Sequence, residues 1–393
     1  MNENRILVSI KKIDKIEPLI VKSGEPARSA LARIGGWKAT VDAKEFHAGD
    51  TVVFAEPDSI FPVDERWNFL ERCHYTIKTQ RYGSLLTENG EVVVSQGLIL
   101  PMSVLPVGDY NIGDDVTKIL GVTHALEPVD KDEYANNAEF STKNAKNTKF
   151  KWLPKPVFNK FMRYSWFRDI IIPHVEKMGF VTEVSKTDEE RIQNCGDIVN
   201  TNTLWTATEK VDGCSATYRL KRLPSNFWKR LIGKEEFDFA VCSRNRRIAK
   251  PNDSSYWAMA KKYDIMNVLK KIIGNNKWVA IQLECAGPKI NGNRQALKEN
   301  RAFVFNLIYP TGRVKSVDGK KIIEQYGMEW VPIISTGIDL HGKTEEDLLN
   351  MSNGMSALNP DKMREGIVFR AENQDVDLSF KAVSPEYLLK WHI

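Results

Sequence analysis

Apolar and polar residues alternate along the first third of the chain. In "ALARIGGWKATVDAKEFHAGDTVVFAEPDSIFP" the period is two, and Gly49-Asp50 punctuates it before the strand Thr51–Ala55. "EVVVSQGLILP" is another strand run, and "VGDYNIGDDVTKILGV" repeats the Gly-Asp turn signal. Short strands at this spacing predict a small antiparallel β-barrel of the OB type over residues 1–125. From about Val181 the pattern changes. "KTDEERIQN" predicts a helix opened by a capping box, Thr187 with Glu190. "DSSYWAMAKKYDIMNVLKKI" predicts one amphipathic helix capped near Asp253 or Ser254, whereas "KWVAIQLECAG", "RAFVFNLIYP", "EGIVFRA" and "VDLSFKAV" read as strands. Residues 181–393 therefore predict a mixed α/β domain with antiparallel sheets, and the whole chain is α+β.

Residues 126–180 form a linker of different composition. Between Ser141 and Arg168 stand eight basic residues and no acidic one, interleaved with Phe150, Trp152, Phe158, Phe161, Tyr164, Trp166 and Phe167. Cations track phosphate and rings cover bases, which suits a nucleic-acid surface. The near-helical spacing of positions 158, 161, 164 and 167 equally suits a helix packing its rings on a neighbour.

At 393 residues two domains are expected, and a composition of 42% hydrophobic and 27% charged residues is that of a globular protein. The formal charge of +5 permits a polyanionic partner without requiring one. No apolar run has membrane-spanning length, and the first residues lack the apolar core of a signal peptide. Five scattered cysteines without a C-x-x-C pair predict reduced thiols and a cytoplasmic location. The six histidines fit no metal-ligand pattern, and no P-loop is present.

The segment "TATEKVDGCSAT" carries the chemistry. Asp-Gly between two strand-like runs is a hairpin signal, so Lys210 is by itself equally an exposed turn lysine. What weighs against that is an ordered set downstream: "CSRNRRI" with Arg244, "QLECAGPKINGN" with Glu284, "RAFVFNLIY" with Phe303 and Phe305, "REGIVFR" with Glu365 and "SFKAVSPEYLL" with Lys381. This set resembles motifs I, Ia, III, IIIa, IV and V of the nucleotidyltransferase domain of ATP-dependent polynucleotide ligases. It is most similar to the RNA ligases, and with an OB-like module in front it resembles the fifth RNA ligase family, which seals RNA nicks. Lys381 lies only twelve residues from Ile393, which speaks against the DNA ligases and mRNA capping enzymes, whose further OB domain follows motif V.

The resemblance implies an ATP-dependent RNA ligase with Lys210 as nucleophile, its amine freed by a lowered pKa, and a lysyl–AMP intermediate. AMP then passes to a 5′-phosphate, and a 3′-hydroxyl displaces it. Lys381 would neutralise charge on the α-phosphate and act with Lys210 in catalysis, although Ser379 stands where relatives often have another lysine. Glu209, Arg191, Arg244, Glu284 and Phe305 would bind the nucleotide. Phe303 and Phe305 alternate with Val304 and share a sheet face, and Phe305 is the one expected to stack on adenine. Asp212, Glu284 and Glu365 would hold Mg2+ or Mn2+. The implied partner is RNA, or a nicked duplex containing it, bound by a monomer. The rival readings are a DNA ligase or guanylyltransferase using the same lysine, and a degenerate RNA-binding protein. Charged residues within "SFKAV" and "REGIVFR" point to a polar cavity there, and 219–238 reads as a basic hairpin.

Overall fold

The computed structural model describes residues 6–124, 180–187, 189–223, 236–244, 246–248, 254–373 and 377–391. The basic aromatic linker and the tip of the basic hairpin lie outside the described residues. The two described strands of that hairpin pair, with Arg222 opposite Phe237.

The first ten strands form the amino-terminal domain. These are β1 (Val8–Lys12), β2 (Lys15–Val21), β3 (Pro26–Ile34), β4 (Trp37–Asp42), β5 (Thr51–Ala55), β6 (Ser59–Ile60), β7 (Gln80–Leu86), β8 (Val92–Ser95), β9 (Leu98–Pro101) and β10 (Thr123–His124). Three antiparallel sheets result, ordered β1-β5-β9, β4-β3-β2-β7-β8 and β10-β6. The two-residue period governs burial: Trp37, Ala39 and Val41 of β4 point inward, and the residues between them face outward. Trp37 packs on Phe54, with ring centroids 5.7 Å apart. Both Gly-Asp signals build the same turn. Gly49 and Gly113 take φ of 95° and 97°. Asp50 and Asp114 accept hydrogen bonds from the backbone N–H three residues earlier, at 2.7 and 2.8 Å. Strand reading alone missed a 3-10 stretch, Glu65–Cys73, capped by Asp64.

The second domain holds β11 (Glu190–Arg191), β12 (Trp205–Lys210), β13 (Cys214–Arg222), β14 (Phe237–Ser243), β15 (Trp278–Ala286), β16 (Arg301–Tyr309), β17 (Gly312–Arg313), β18 (Glu329–Trp330), β19 (Ile333–Ile338), β20 (Gly366–Ala371) and β21 (Ser379–Val383). Its helices are α1 (Ser255–Lys262), α2 (Ile265–Ile272), α3 (Ser316–Glu324), α4 (Glu345–Ser352) and α5 (Pro385–Trp391). One sheet is ordered β11-β21-β20-β12-β19 and the other β14-β13-β15-β16-β17, with β18 on β16. Helices α1 and α2 bury Met259, Ile265 and Leu269 against Tyr218, Leu220 and Ile281 of the second sheet. Leu348 of α4 covers Ile367 and Phe380 of the first.

Two sequence expectations are corrected. Among the described residues of 186–194 there is no α-helix. The Thr187 hydroxyl lies 2.6 Å from that of Ser215, Glu190 and Arg191 pair in parallel with β21, and a short 3-10 turn follows. The long amphipathic helix is two, α1 and α2, because Asp264 between them is left-handed, with φ of 47°. Its start is as expected, with Ser254 capping Trp257 N–H.

The domains meet through polar contacts. Trp37 Nε1 donates to Asn194 Oδ1 at 2.7 Å, and Asn194 Nδ2 donates to Glu56 at 2.6 Å. Lys38 pairs with Glu346 at 2.7 Å, and Arg191 with Asp58 at 3.0 Å. Gly36 permits the approach: a Cβ there would lie 2.7 Å from Gln193 Cα.

Candidate functional site

The chain reaches the site along β12, which pairs over its whole length with β20, placing Lys210 opposite Gly366. The next strand, β13, belongs to the other sheet, where Cys214 and Ser215 face Cys285 and Glu284 of β15. Lys-Val-Asp-Gly is therefore not a hairpin bend. It is a crossing between two sheets, and Lys210 ends one of them at the cleft. Only glycine fits position 213, since a Cβ would stand 2.2 Å from the Cys285 carbonyl oxygen. Gly366 is equally constrained, with the Ala382 carbonyl 2.3 Å from where its Cβ would be.

A cavity of 340 Å³ opens at this junction, a volume in the range of nucleotide-sized ligands. Lys210, Lys381, Glu209, Arg191, Arg244, Glu284, Phe305, Asp212 and Glu365, all expected from sequence, line it together. Lys210 Nζ donates to Glu365 Oε2 at 2.7 Å. Burial works to lower the lysine's pKa, but Glu365, Glu284 and Asp212 outweigh it and hold the ammonium above its usual range. The expected lowering of this pKa is thus absent with protein groups alone: Lys210 is a cation. Burial in turn pushes the Glu365 carboxyl upward, with Lys210 and Lys381 opposing.

The three carboxylates do not converge. Asp212 is engaged elsewhere: Tyr387 Oη donates to it at 2.7 Å, Arg294 Nη1 at 3.0 Å, and Asn291 donates to its other oxygen. Among the described residues no group of three His, Cys, Asp or Glu side chains is placed to hold a metal. Glu284 and Glu365 remain as an all-oxygen pair beside the same lysine. That donor set fits Mg2+ or Mn2+, which accept one or two protein carboxylates and complete their shell with phosphate and water.

The nucleotide-binding candidates fall at distinct places. A β-bulge shifts the β15–β16 register so that Gln282 faces Asn306 and Leu283 faces Val304, leaving Phe305 as the extra residue. Phe305 faces the cavity, with Arg370 5.1 Å from its ring centroid. Phe303, paired with Glu284, is fully buried beneath Arg301. Glu209 is buried, and its carboxylate accepts hydrogen bonds from Ser356 Oγ and, at 2.8 and 3.3 Å, from Ala357 N–H and Gln295. It fastens the 356–359 loop to β12. Burial pushes its pKa up despite these bonds. Arg191 stands beside Lys381 in the β11–β21 pairing and reaches Asp58 of the first domain.

Sequence reading missed the Glu189–Arg370 pair in the same cavity. Arg370 donates to Glu189 at 2.9 Å, Thr208 Oγ1 at 2.9 Å and Asn306 Oδ1 at 3.1 Å. Burial pulls the guanidinium down to about 10, which leaves it charged at neutral pH. Its signal was an arginine inside the apolar strand "GIVFRA". Asp58 and His124 of the first domain, and Asn291, Arg294 and Leu388, also line the cavity without having been singled out.

Comparison with known proteins agrees with this architecture. Residues 203–383 match the RNA ligase family model, and residues 7–102 match an OB-fold domain model. Solved structures of Naegleria gruberi RNA ligase superpose over nearly the full chain. The form with PPi and a variant with AMP and Mn are each 25% identical, cover 98% of both chains and give TM-scores of 0.70. A variant with ATP and Mn is 25% identical, covers 98% of this chain and 97% of that one, and gives 0.69. No curated protein matches the sequence. The chain is an enzyme whose OB-fold domain precedes an RNA ligase domain, and Lys210 stands where the two sheets of that ligase domain meet.

Proposed function

We propose that the cavity takes ATP and that the protein is an ATP-dependent RNA ligase of the fifth-family type, sealing nicks in duplexes as a monomer inside the cell. The observation that carries the reading is Lys210 Nζ at 2.7 Å from Glu365 within a cavity that Glu284, Lys381, Arg244 and Phe305 also line. The full-length likeness to ligases solved with ATP, AMP, PPi and Mn supports it.

Adenine stacks on Phe305, whose ring is braced by Arg370. Arg191 and Arg244 meet the sugar and phosphates, and Lys381 meets the α-phosphate, where charge builds in the transition state. With Glu365 and Glu284 engaged by other charge, they no longer hold the ammonium, and the proton of Lys210 Nζ is lost to solvent. The freed amine attacks the α-phosphorus, so that a P–N bond forms as the bond to pyrophosphate breaks. A divalent cation held by Glu284 and Glu365 would supply a positive field that favours the neutral amine. AMP passes from Lys210 to the RNA 5′-phosphate, and the 3′-hydroxyl then attacks that phosphorus and expels AMP. Asp212, fixed by Tyr387 and Arg294, keeps the Lys210 loop in place.

Incubation with α-labelled ATP and Mg2+ or Mn2+ tests this. The expected result is a labelled band on a denaturing gel, labile to acid, stable to alkali and absent for Lys210→Ala. No band, or one that survives the substitution, overturns the mechanism, and labelling by GTP instead overturns the nucleotide assignment. Equal sealing of nicks with RNA or DNA at the 3′-hydroxyl end overturns the RNA preference.

A further inference from the structure

Helix α5 both lines the cavity and continues past it. Tyr387 and Leu388 are buried, and Leu388 lines the cavity wall. Trp391 comes three and four residues later, so it shares their helix face about 5.4 Å farther along the axis. Its surface is 37% exposed, unlike the fully buried Trp37, Trp67 and Trp205. Two cations attend the ring: the Arg294 guanidinium carbon is 5.8 Å from its centroid, and Lys390 Nζ is 6.0 Å away. Arg294 is also part of the cavity lining and holds Asp212, two residues from the nucleophile, at 3.0 Å.

An open indole with two cations thus stands at the rim of the site, one helical turn beyond its wall. Stacking rings beside cations are how proteins hold unpaired nucleotides, with the ring covering the base and the cations meeting the phosphate. We propose that Trp391 is a stacking platform for a nucleobase at the ligation junction, with Lys390 and Arg294 contacting its adjoining phosphate. The inference rests on the RNA ligase reading above and extends it to the polynucleotide. It accounts for an exposed aromatic at the end of a helix that buries Tyr387 and Leu388. It also accounts for the two cations beside the ring.

Binding is measured without catalysis, using the full-length protein and nicked RNA duplexes that carry 2-aminopurine on either side of the nick in turn. Stacking on Trp391 is expected to quench the fluorophore at one of the two positions in the wild-type protein, and Trp391→Leu is expected to abolish that quenching. No quenching at either position, or quenching that survives Trp391→Leu, overturns the inference. Sealing of a duplex with a pre-adenylylated 5′ end gives a second readout. Trp391→Ala should raise KM for the duplex about ten-fold or more, and Trp391→Phe should stay within about three-fold of wild type. An unchanged KM for Trp391→Ala, in a wild-type protein that labels with ATP and seals, defeats this inference alone. Absence of labelling in the wild type defeats the ligase reading instead.

Discussion

Arg370 is a heavily committed side chain in the site, and replacing it by methionine has a calculable outcome. The residue is 3% exposed, and its three hydrogen bonds reach Glu189, Thr208 and Asn306. Methionine fills similar volume but carries no charge, so the Glu189 carboxylate loses its ion pair while remaining largely buried. Removing one partner of a buried pair costs about 3–5 kcal/mol, because the survivor keeps its desolvation penalty. At about 2–4 °C per kcal/mol for a domain of this size, the ligase domain should melt roughly 6–20 °C lower. Glu189→Gln in the same chain removes the stranded charge and should restore more than half of that loss. Arg370→Lys should recover less, since one ammonium cannot reach three acceptors lying in different directions. Scanning calorimetry of the four proteins, read on the ligase-domain transition, checks this. Melting of Arg370→Met within about 1 °C of wild type, or a double variant no more stable than Arg370→Met, would refute the buried-pair argument.

Two further outcomes follow from the same geometry. Gly213→Ala places a methyl 2.2 Å from the Cys285 carbonyl, so the crossing or β15 must move, carrying Lys210 away from Glu284. Adenylylation should fall by about a hundred-fold or more, a loss typical of roughly 1 Å misplacement, and undiminished labelling would sink the claim. On acidification, burial raises Glu183, Glu189 and Asp238, but their arginine and lysine partners outweigh it and hold all three below the usual carboxylate range. The unfolded chain binds their protons first, so this stability is present above about pH 5 and lost as pH falls. Glu365, held up by burial, has the opposite sign. Melting temperature against pH should therefore flatten in Glu189→Gln and steepen in Glu365→Gln, and unchanged slopes would count against both assignments.

Most of the site was legible because its chemistry is written in residue types in a fixed order. Lys210, Glu284, Glu365 and Lys381 needed no geometry to be singled out, and the cavity gathers them. What the sequence hid around the site was a set of long-range partners. Asp-Gly after Lys210 is a genuine turn signal, yet strand partners beyond the local sequence, Gly366 for Lys210 and Cys285 for Cys214, turn it into a crossing. The capping box at Thr187 is equally real by local rules. There the pairing of Glu190 and Arg191 with β21 wins, and the Thr187 hydroxyl goes to Ser215. The bulge at Phe305 and the Glu189–Arg370 pair, 181 residues apart, leave no local periodic trace at all.

The crossing also explains how Lys210 is at once fixed in position and held as a cation. Lys210 ends β12 opposite Gly366, Glu365 immediately precedes that glycine, and Ser215 and Glu284 lie opposite each other on β13 and β15. A link of only Val211, Asp212 and Gly213 joins the two sheets, so the carboxylate of one sheet is forced beside the amine of the other. Packing at Gly213 and Gly366 fixes that distance to within the size of a methyl group. The same closeness surrounds Lys210 with three carboxylates that keep it protonated. An ammonium has no lone pair, so the lysine stays unreactive until other charge engages those carboxylates. Position is thus set by backbone contacts that do not change during the reaction, while reactivity is set by charges that ligand binding can change. This separation follows from the sheets meeting at Lys210, and a lysine on an ordinary hairpin would lack it.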